Sequence, residues 1–369
     1  MPQANDLAAP VGLLAELTHR CPLQCAYCSN PLELERPGAE LTTQQWRDVF
    51  GEAARLGVLQ LHLSGGEPTV RRDLEELVRY ASEIGLYSNL ITSAYGVTRE
   101  RMAALSAAGL EHVQISIQGA IEVDADRIAG TLGAHRRKLA LAAHVRELGL
   151  ALTINAPLHR GNIDAVGSII ALAETLDAER LEIANVQYYG WALANRAALL
   201  PSRDQVRRSL EVVKAARQRL QGLMTIDYVA PDYYTGRPKA CMGGWGRGII
   251  NITPSGKALP CHAAETIPGL SFDNVTERPL HEIWWHSTAF NAYRGTAWMK
   301  EPCRSCELKA VDWGGCRCQA LAITGEAANA DPACAKSRHH EIIRAIAAAE
   351  PAVAPPGLIY RHPRPQPAL

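Results

Sequence analysis

Although the chain contains ten cysteines, none lies between Cys28 and Cys241. A disulfide framework staples a small fold along its whole length, so a bare stretch of that size excludes one. In a reducing compartment the cysteines are then thiolate ligands. Net charge is missing too: 38 Lys and Arg offset 38 Asp and Glu. The composition therefore carries no electrostatic signature of a nucleic-acid partner or of an anionic membrane. No run of about 18 apolar residues occurs, which excludes an ordinary membrane-spanning helix. The opening Met-Pro-Gln-Ala-Asn-Asp has no basic region followed by an apolar core, which predicts a cytoplasmic protein without a signal peptide. No internal repeat is visible.

What is present begins with alternation. Apolar stretches at Val11–Thr18, Val58–Leu63, Leu86–Thr92, Glu111–Ile117, Leu150–Ala156 and Arg180–Val186 read as strands. Helical patterns at Thr42–Leu56, Arg71–Ile84, Thr98–Ala108, Gly133–Leu148, Ile163–Leu176 and Ser202–Leu220 follow them in turn. Six βα units imply parallel strands with right-handed crossovers, in an open barrel or a doubly wound sheet, and in either the ligands gather at the C-terminal strand ends. At 369 residues the chain suits a barrel plus an appended module. Beyond about residue 220 glycine, proline and tryptophan rise and helical periodicity fades. Arg247–Asn251 and the Thr253-Pro254-Ser255-Gly256-Lys257 turn read as a small hairpin, and Leu280–Tyr293 and Arg338–Ala348 as helices. The reading is thus a first domain over 1–220, a second over 221–348, and a proline-rich tail over 349–369 expected to be extended or flexible.

Two motifs carry chemistry in the first domain. Cys21, Cys25 and Cys28 fall in one loop after the first strand, at C-x3-C-x2-C spacing. Three thiolates hold three corners of a metal cluster and leave a site open for a small molecule. A zinc site completed by His19 is the bland alternative, although zinc motifs usually pair two C-x2-C units. One strand later comes Gly65-Gly66-Glu67-Pro68, where glycines admit a ligand to the backbone and a carboxylate can accept from an ammonium group.

The two motifs together resemble the radical S-adenosylmethionine (SAM) superfamily. That resemblance implies an open (β/α)6 TIM-like barrel and a [4Fe–4S] cluster on Cys21, Cys25 and Cys28 that binds SAM. It further places Tyr27 near the adenine and Gly65, Gly66 and Glu67 at the SAM amino group. Thr92, Ser116, Gln118 and Asn155, at later strand ends, become candidate ribose and carboxylate contacts, though polar strand ends also serve local hydrogen bonds. Arg127 is a candidate partner for the SAM carboxylate or a surface charge.

The later cysteines run Cys241, Gly256, Cys261, Cys303-x2-Cys306, Cys316-x-Cys318 and Cys334. This resembles the SPASM domain, a carrier of auxiliary iron–sulfur clusters. One position departs from the family pattern: Asp312 stands where it has cysteine, and a carboxylate is an accepted iron ligand type. The family scheme implies a nearer auxiliary cluster on Cys241, Cys261, Cys316 and Cys318, either [2Fe–2S] or [4Fe–4S]. It implies an outer [4Fe–4S] cluster on Cys303, Cys306, Asp312 and Cys334.

The opening Leu14-Ala15-Glu16-Leu17-Thr18-His19-Arg20 and its cysteine loop, Gln187 to Arg196, Cys241 to Gly246, and Asp312 are similar to the PqqE family of pyrroloquinoline quinone (PQQ) biosynthesis. The resemblance covers all but the tail. It implies a carbon–carbon cross-link between a Glu γ-carbon and a Tyr ring in the precursor peptide PqqA. It also implies a peptide chaperone, PqqD, and an external electron donor. Two rivals stay open: another SPASM peptide modifier, sulfatase-maturing or thioether-forming, and a zinc-stabilised binding module. Tyr188, Tyr189 and Trp191 either line a peptide channel or pack between domains.

Overall fold

The computed structural model describes residues 7–349 and 357–361. Its organising element is a sheet whose parallel strands carry their loops to one end. β1 (Gly12–Glu16) is followed by α1 (Thr43–Leu56), β2 (Gln60–Ser64), α2 (Leu74–Glu83), β3 (Tyr87–Thr92) and α3 (Arg99–Ala107). β4 (His112–Ser116) precedes two helices, α4 (Glu122–Ala129) and α5 (Ala134–Glu147). β5 (Ala151–Leu158), α6 (Val166–Thr175) and β6 (Arg180–Asn185) come next, then the short α7 (Gly190–Ala194) and α8 (Arg196–Leu199) and the long α9 (Arg203–Arg219). The six expected βα units are all there. Thr42 caps α1 and Ser202 caps α9, each in a reciprocal box with a glutamine three residues on.

The sheet goes further than six strands. β7 (Thr225–Val229) pairs parallel with β6, and β8 (Ile249–Ile252) pairs parallel with β1. β9 (Ala258–Leu259) closes the expected hairpin antiparallel to β8, giving the order β7-β6-β5-β4-β3-β2-β1-β8-β9. Sheet pairing thus crosses residue 220 and draws chain from beyond it to both edges. Parallel strands are buried on both faces, and here Leu13, Leu61, Leu63, Leu90, Val113, Ile115, Leu152, Ile154, Leu181 and Ile183 are at most 1% exposed.

Beyond β9 the chain forms short helices: α10 (Leu280–His286), α11 (Thr288–Asn291), α12 (Lys309–Asp312), α13 (Arg317–Thr324) and α14 (His340–Ala348). The single helix expected over 280–293 is two, because Ser287 leaves the helical region at ψ 133°. α10 docks on α1 through the Leu280 amide, which donates to Glu52 Oε2 at 2.5 Å. Of the tail, residues 350–356 and 362–369 lie outside the described residues, while 357–361 pack against the cysteine loop. Among the described residues no helix is long and apolar enough to cross a membrane.

Candidate active site

β1 delivers the chain to Thr18, and the backbone there is sewn to the Gly-Gly-Glu turn after β2. The Gly66 amide donates to Thr18 O at 2.6 Å and the Glu67 amide to Arg20 O at 2.8 Å. A Cβ on Gly65, which sits at φ +132°, would collide with the Thr18 carbonyl; one on Gly66 would collide with the carbonyls of His19 and Arg20. Only glycine permits this approach. The far side of the cysteine loop is tied to the end of α4, Gln24 N to Ala129 O at 2.9 Å and Ala26 N to Ile128 O at 3.3 Å. Cys21, Cys25 and Cys28 are held between these two anchors as free cysteines in half-buried positions.

Glu67 is wholly buried and accepts five hydrogen bonds. Its Oε1 takes Thr69 N (3.1 Å), Thr69 Oγ1 (2.6 Å) and Thr92 Oγ1 (2.8 Å), and its Oε2 takes Ser93 N and Oγ, both at 2.6 Å. Thr92 therefore fixes Glu67. Gln118 Nε2 donates to the Tyr27 hydroxyl at 2.6 Å, and burial pushes that hydroxyl's pKa well above its ordinary value. Ser116 and Asn155 are register partners across β4 and β5. Asn155 is mid-strand, since β5 runs on to Leu158, and its Oδ1 is buried without a partner among the described residues. Arg127 lies on α4, in a helix the sequence pattern did not reveal. Its side chain is 55% exposed and 3.5 Å from Asp124. His19 Nδ1 accepts from the Glu35 amide at 3.0 Å.

Two buried cations face the cradle, and neither stood out in the sequence. Lys138 of α5 is wholly buried and its Nζ donates to Gln118 Oε1. Its spacing with Ala134, His135, Leu141, Ala142 and Val145 on the buried face was the available signal. Arg361 is 4% exposed and reaches Cys28 Sγ at 3.8 Å. Burial pushes the Cys21 thiol up to about 12, with Cys25 and Glu67 adding to it, and burial lowers the Lys138 pKa. Thiols and cations each resist this environment alone. An anionic, thiolate-bound cluster satisfies both, so the residues fit the cluster implied by the motif.

The later cysteines gather into two groups. Cys241 lies within hydrogen-bond reach of Cys261 and Cys316, and Cys318 within reach of the same two, so four sulfurs close a ring. Arg317, wholly buried and stacked 4.7 Å from the Trp298 ring centroid, donates to Ala327 O (2.7 Å) and Asn329 O (2.8 Å) and pins the loop. Asp331 Oδ2 accepts from the Cys316 amide at 2.7 Å. Tyr189 hydrogen-bonds His262 beside this ring. Tyr188 is buried against Tyr233, ring centroids 5.2 Å apart and edge to face, so Tyr188 packs. Cys303, Cys306, Asp312 and Cys334 line a second cavity with Lys336. Burial first, then Asp312 and the neighbouring thiols, raise Cys303 to about 11 against the lowering effect of Arg317.

The radical SAM superfamily pattern matches residues 15–173, and an iron-sulfur cluster-binding domain, SPASM, matches residues 241–307. A PqqA peptide cyclase of Methylobacterium sp. (strain 4-46) is 60% identical over 347 residues, 94% of this chain and 92% of its own. One of Rhodopseudomonas palustris is 59% identical over 360 residues, 97% and 96% of the two chains. The chain belongs to the PqqA peptide cyclase family. Among solved structures, Streptococcus suis SuiB bound to precursor peptide SuiA superposes with TM-score 0.74 at 18% identity, covering 90% of this chain and 77% of that one. The protein anSMEcpe with bound AdoMet gives 0.66 at 15% identity, covering 92% and 96%. At such identities these two speak to fold alone. Asp312, Cys316, Cys318 and Cys334 fall past the end of the SPASM match, so their grouping rests on the geometry above.

Proposed function

We propose that this protein is a PqqA peptide cyclase that joins a glutamate γ-carbon to a tyrosine ring in the PqqA peptide. The radical SAM chemistry is carried by one observation: a three-cysteine cradle locked to Gly65-Gly66-Glu67 and faced by buried cations. The substrate follows from family membership. Cys21, Cys25 and Cys28 would hold the [4Fe–4S] cluster, with the amino group of SAM at Gly65, Gly66 and Glu67. When bound, that cluster and SAM supply a carbon-centred radical that takes hydrogen from an unactivated carbon.

Each protein group then has a positional task. The five donors on Glu67 saturate its carboxylate, so Glu67 braces the turn, and the Gly65-Gly66 backbone it holds in place would meet the ammonium group. Lys138, buried and within reach of the same pocket, is the better placed partner for the SAM carboxylate than exposed Arg127. Asn155 offers an unpaired acceptor, and Ser116 lies beside it, for the sugar hydroxyls. Tyr27, whose hydroxyl accepts from Gln118, would lie near the adenine. The cross-linked product lacks two hydrogens, so one further electron and one proton must leave after the bond forms. Cys241, Cys261, Cys316 and Cys318 would hold an auxiliary cluster able to serve as electron acceptor. Cys303, Cys306, Asp312 and Cys334 would hold a second. PqqD is the peptide-presenting partner, and an external one-electron donor supplies the cradle.

The test is anaerobic reconstitution followed by incubation with SAM, a reductant, PqqD and PqqA. Mass spectrometry should find the peptide lighter by two hydrogens between Glu and Tyr, and unchanged when Cys28 is replaced by Ala. Deoxyadenosine without a peptide mass change would sink the substrate assignment and leave the radical chemistry standing.

A further inference from the structure

The segment 357–361 returns from the far end of the chain to the cysteine loop. Ile359 exchanges two hydrogen bonds with the Asn195 side chain, both 2.7 Å, and Asn195 Nδ2 also donates to Ala26 O at 2.8 Å, inside the loop. The Tyr360 hydroxyl donates to Arg127 O at 3.0 Å, where α4 anchors the same loop. Leu358 and Tyr360 pack with Ala26 and Ile128. The last described residue of this segment, Arg361, donates through Nη2 to His19 O and through Nη1 toward Cys28 Sγ at 3.8 Å.

Buried Arg317 is satisfied by carbonyls, but Arg361, at 4% exposure, meets one carbonyl, His19 O, and the Cys28 sulfur, which leaves its charge to be balanced. Arginine keeps its charge under all ordinary conditions, so it cannot escape by losing a proton. Among the described residues no carboxylate lies within ion-pair distance of Arg361. What lies before it is the thiol of Cys28, with Cys21 and Cys25 close enough to feel its charge.

We infer that Arg361 is the counter-charge of the cluster held by Cys21, Cys25 and Cys28, and a positioning residue for Cys28 through an N–H···S hydrogen bond. This rests on the reading of those three cysteines as cluster ligands. Hydrogen bonds to ligand sulfur, nearby charge and solvent access are the levers that set iron–sulfur potentials. A fixed cation stabilises the reduced, more negative cluster over the oxidised one. Arg361 therefore makes the cluster easier to reduce, while 357–361 shields the loop from water. The far end of the chain thus becomes part of the electron-accepting site.

The experiment compares the full-length reconstituted wild type with Arg361→Gln and Arg361→Lys. Iron per chain is measured first, then an EPR-monitored redox titration follows the signal that Cys28→Ala removes. Loaded Arg361→Gln should show its ratio of reduced to oxidised cluster at fixed potential lowered by about tenfold or more, about 59 mV for each tenfold of a one-electron couple. Arg361→Lys, which keeps the charge, should stay near wild type. A fully loaded Arg361→Gln that titrates as wild type overturns the inference. If Arg361→Gln does not load, Arg361→Lys decides: loading with a wild-type titration supports a counter-charge, and failure to load reduces Arg361 to a structural part. A wild-type protein with no signal sensitive to Cys28→Ala would instead sink the ligand reading on which the inference depends.

Discussion

The cradle at Cys21, Cys25 and Cys28 and the ring at Cys241, Cys261, Cys316 and Cys318 solve opposite problems with the same side chain. The first is cut from eight consecutive residues and presents three donors. The second is collected from distant stretches and presents four. The neighbours differ accordingly. Around the cradle stand groups that can handle a small molecule: the Gly65-Gly66 backbone, Gln118, Asn155 and Lys138. Around the ring stand groups that brace the backbone: Arg317 on the Ala327 and Asn329 carbonyls, and Asp331 on the Cys316 amide. An open site needs a prepared pocket; a closed one needs rigid walls.

The comparison breaks if the two sites cannot be disabled separately. Replacing Cys261 with Ala should abolish the cross-linked peptide, at least about a hundredfold, with deoxyadenosine formation kept within a few-fold. Chromatography of the nucleoside beside mass spectrometry of the peptide measures both; loss of both together would refute the separation. A paired substitution comes next. Gly66→Ala drives a Cβ into the His19 and Arg20 carbonyls, and Gly315→Ala drives one into Asp331. Each should cost about 2 kcal/mol or more by forcing backbone to shift. Gly66→Ala should weaken SAM binding by calorimetry and spare iron in the second domain; Gly315→Ala should do the reverse.

A smaller effect sharpens the role of the walls. Asp331→Asn keeps the shape but loses one acceptor to the Cys316 and Ala333 amides and the Gln319 side chain. Iron retention against a chelator should fall roughly 10- to 100-fold, with the cradle unchanged. The smallest effect belongs to neither site. Burial, with Arg127 adding, lowers His159 from 6.5 to about 4. Its unfolded form takes up a proton before the folded form does, so stability present at neutral pH is lost as pH falls from about 6.5 toward 4. Between pH 7 and 5.5 this amounts to about 1 kcal/mol. Chemical denaturation at the two pH values checks it, and His159→Asn should flatten the difference.

The pattern of what could be read beforehand follows from locality. The cradle and Gly65-Gly66-Glu67 were legible because their chemistry lies in adjacent residues. The strands and helices up to residue 220 were legible by periodicity, except α4 and the short α7 and α8. Helix α4 is itself short, with Val123 70% exposed and Asp126 5% exposed, so its pattern runs against its burial. Lys138 and Arg361 escaped because a buried cation is recognised by what faces it, and their partners lie far away in the chain. β7 and β8 escaped as sheet members for the same reason: their partners, β6 and β1, are set by tertiary pairing. The positions of Thr92 and Asn155 were found but their surroundings were not, since only the fold shows that Thr92 serves Glu67 while Asn155 Oδ1 stands unpaired.

The return of β8 to the edge of β1 has a dynamic consequence. β1 feeds the cradle, and the hairpin of β8 and β9 runs through Pro260 into Cys261. The two strands are matched residue for residue, Gly12 to Ile249 through Ala15 to Ile252. Electron tunnelling decays exponentially with distance, so a hinge between two redox centres would make their exchange rate fluctuate with every motion of the substrate. A shared sheet removes that hinge. With clusters at both sites, the gap between them would keep its length as peptides come and go.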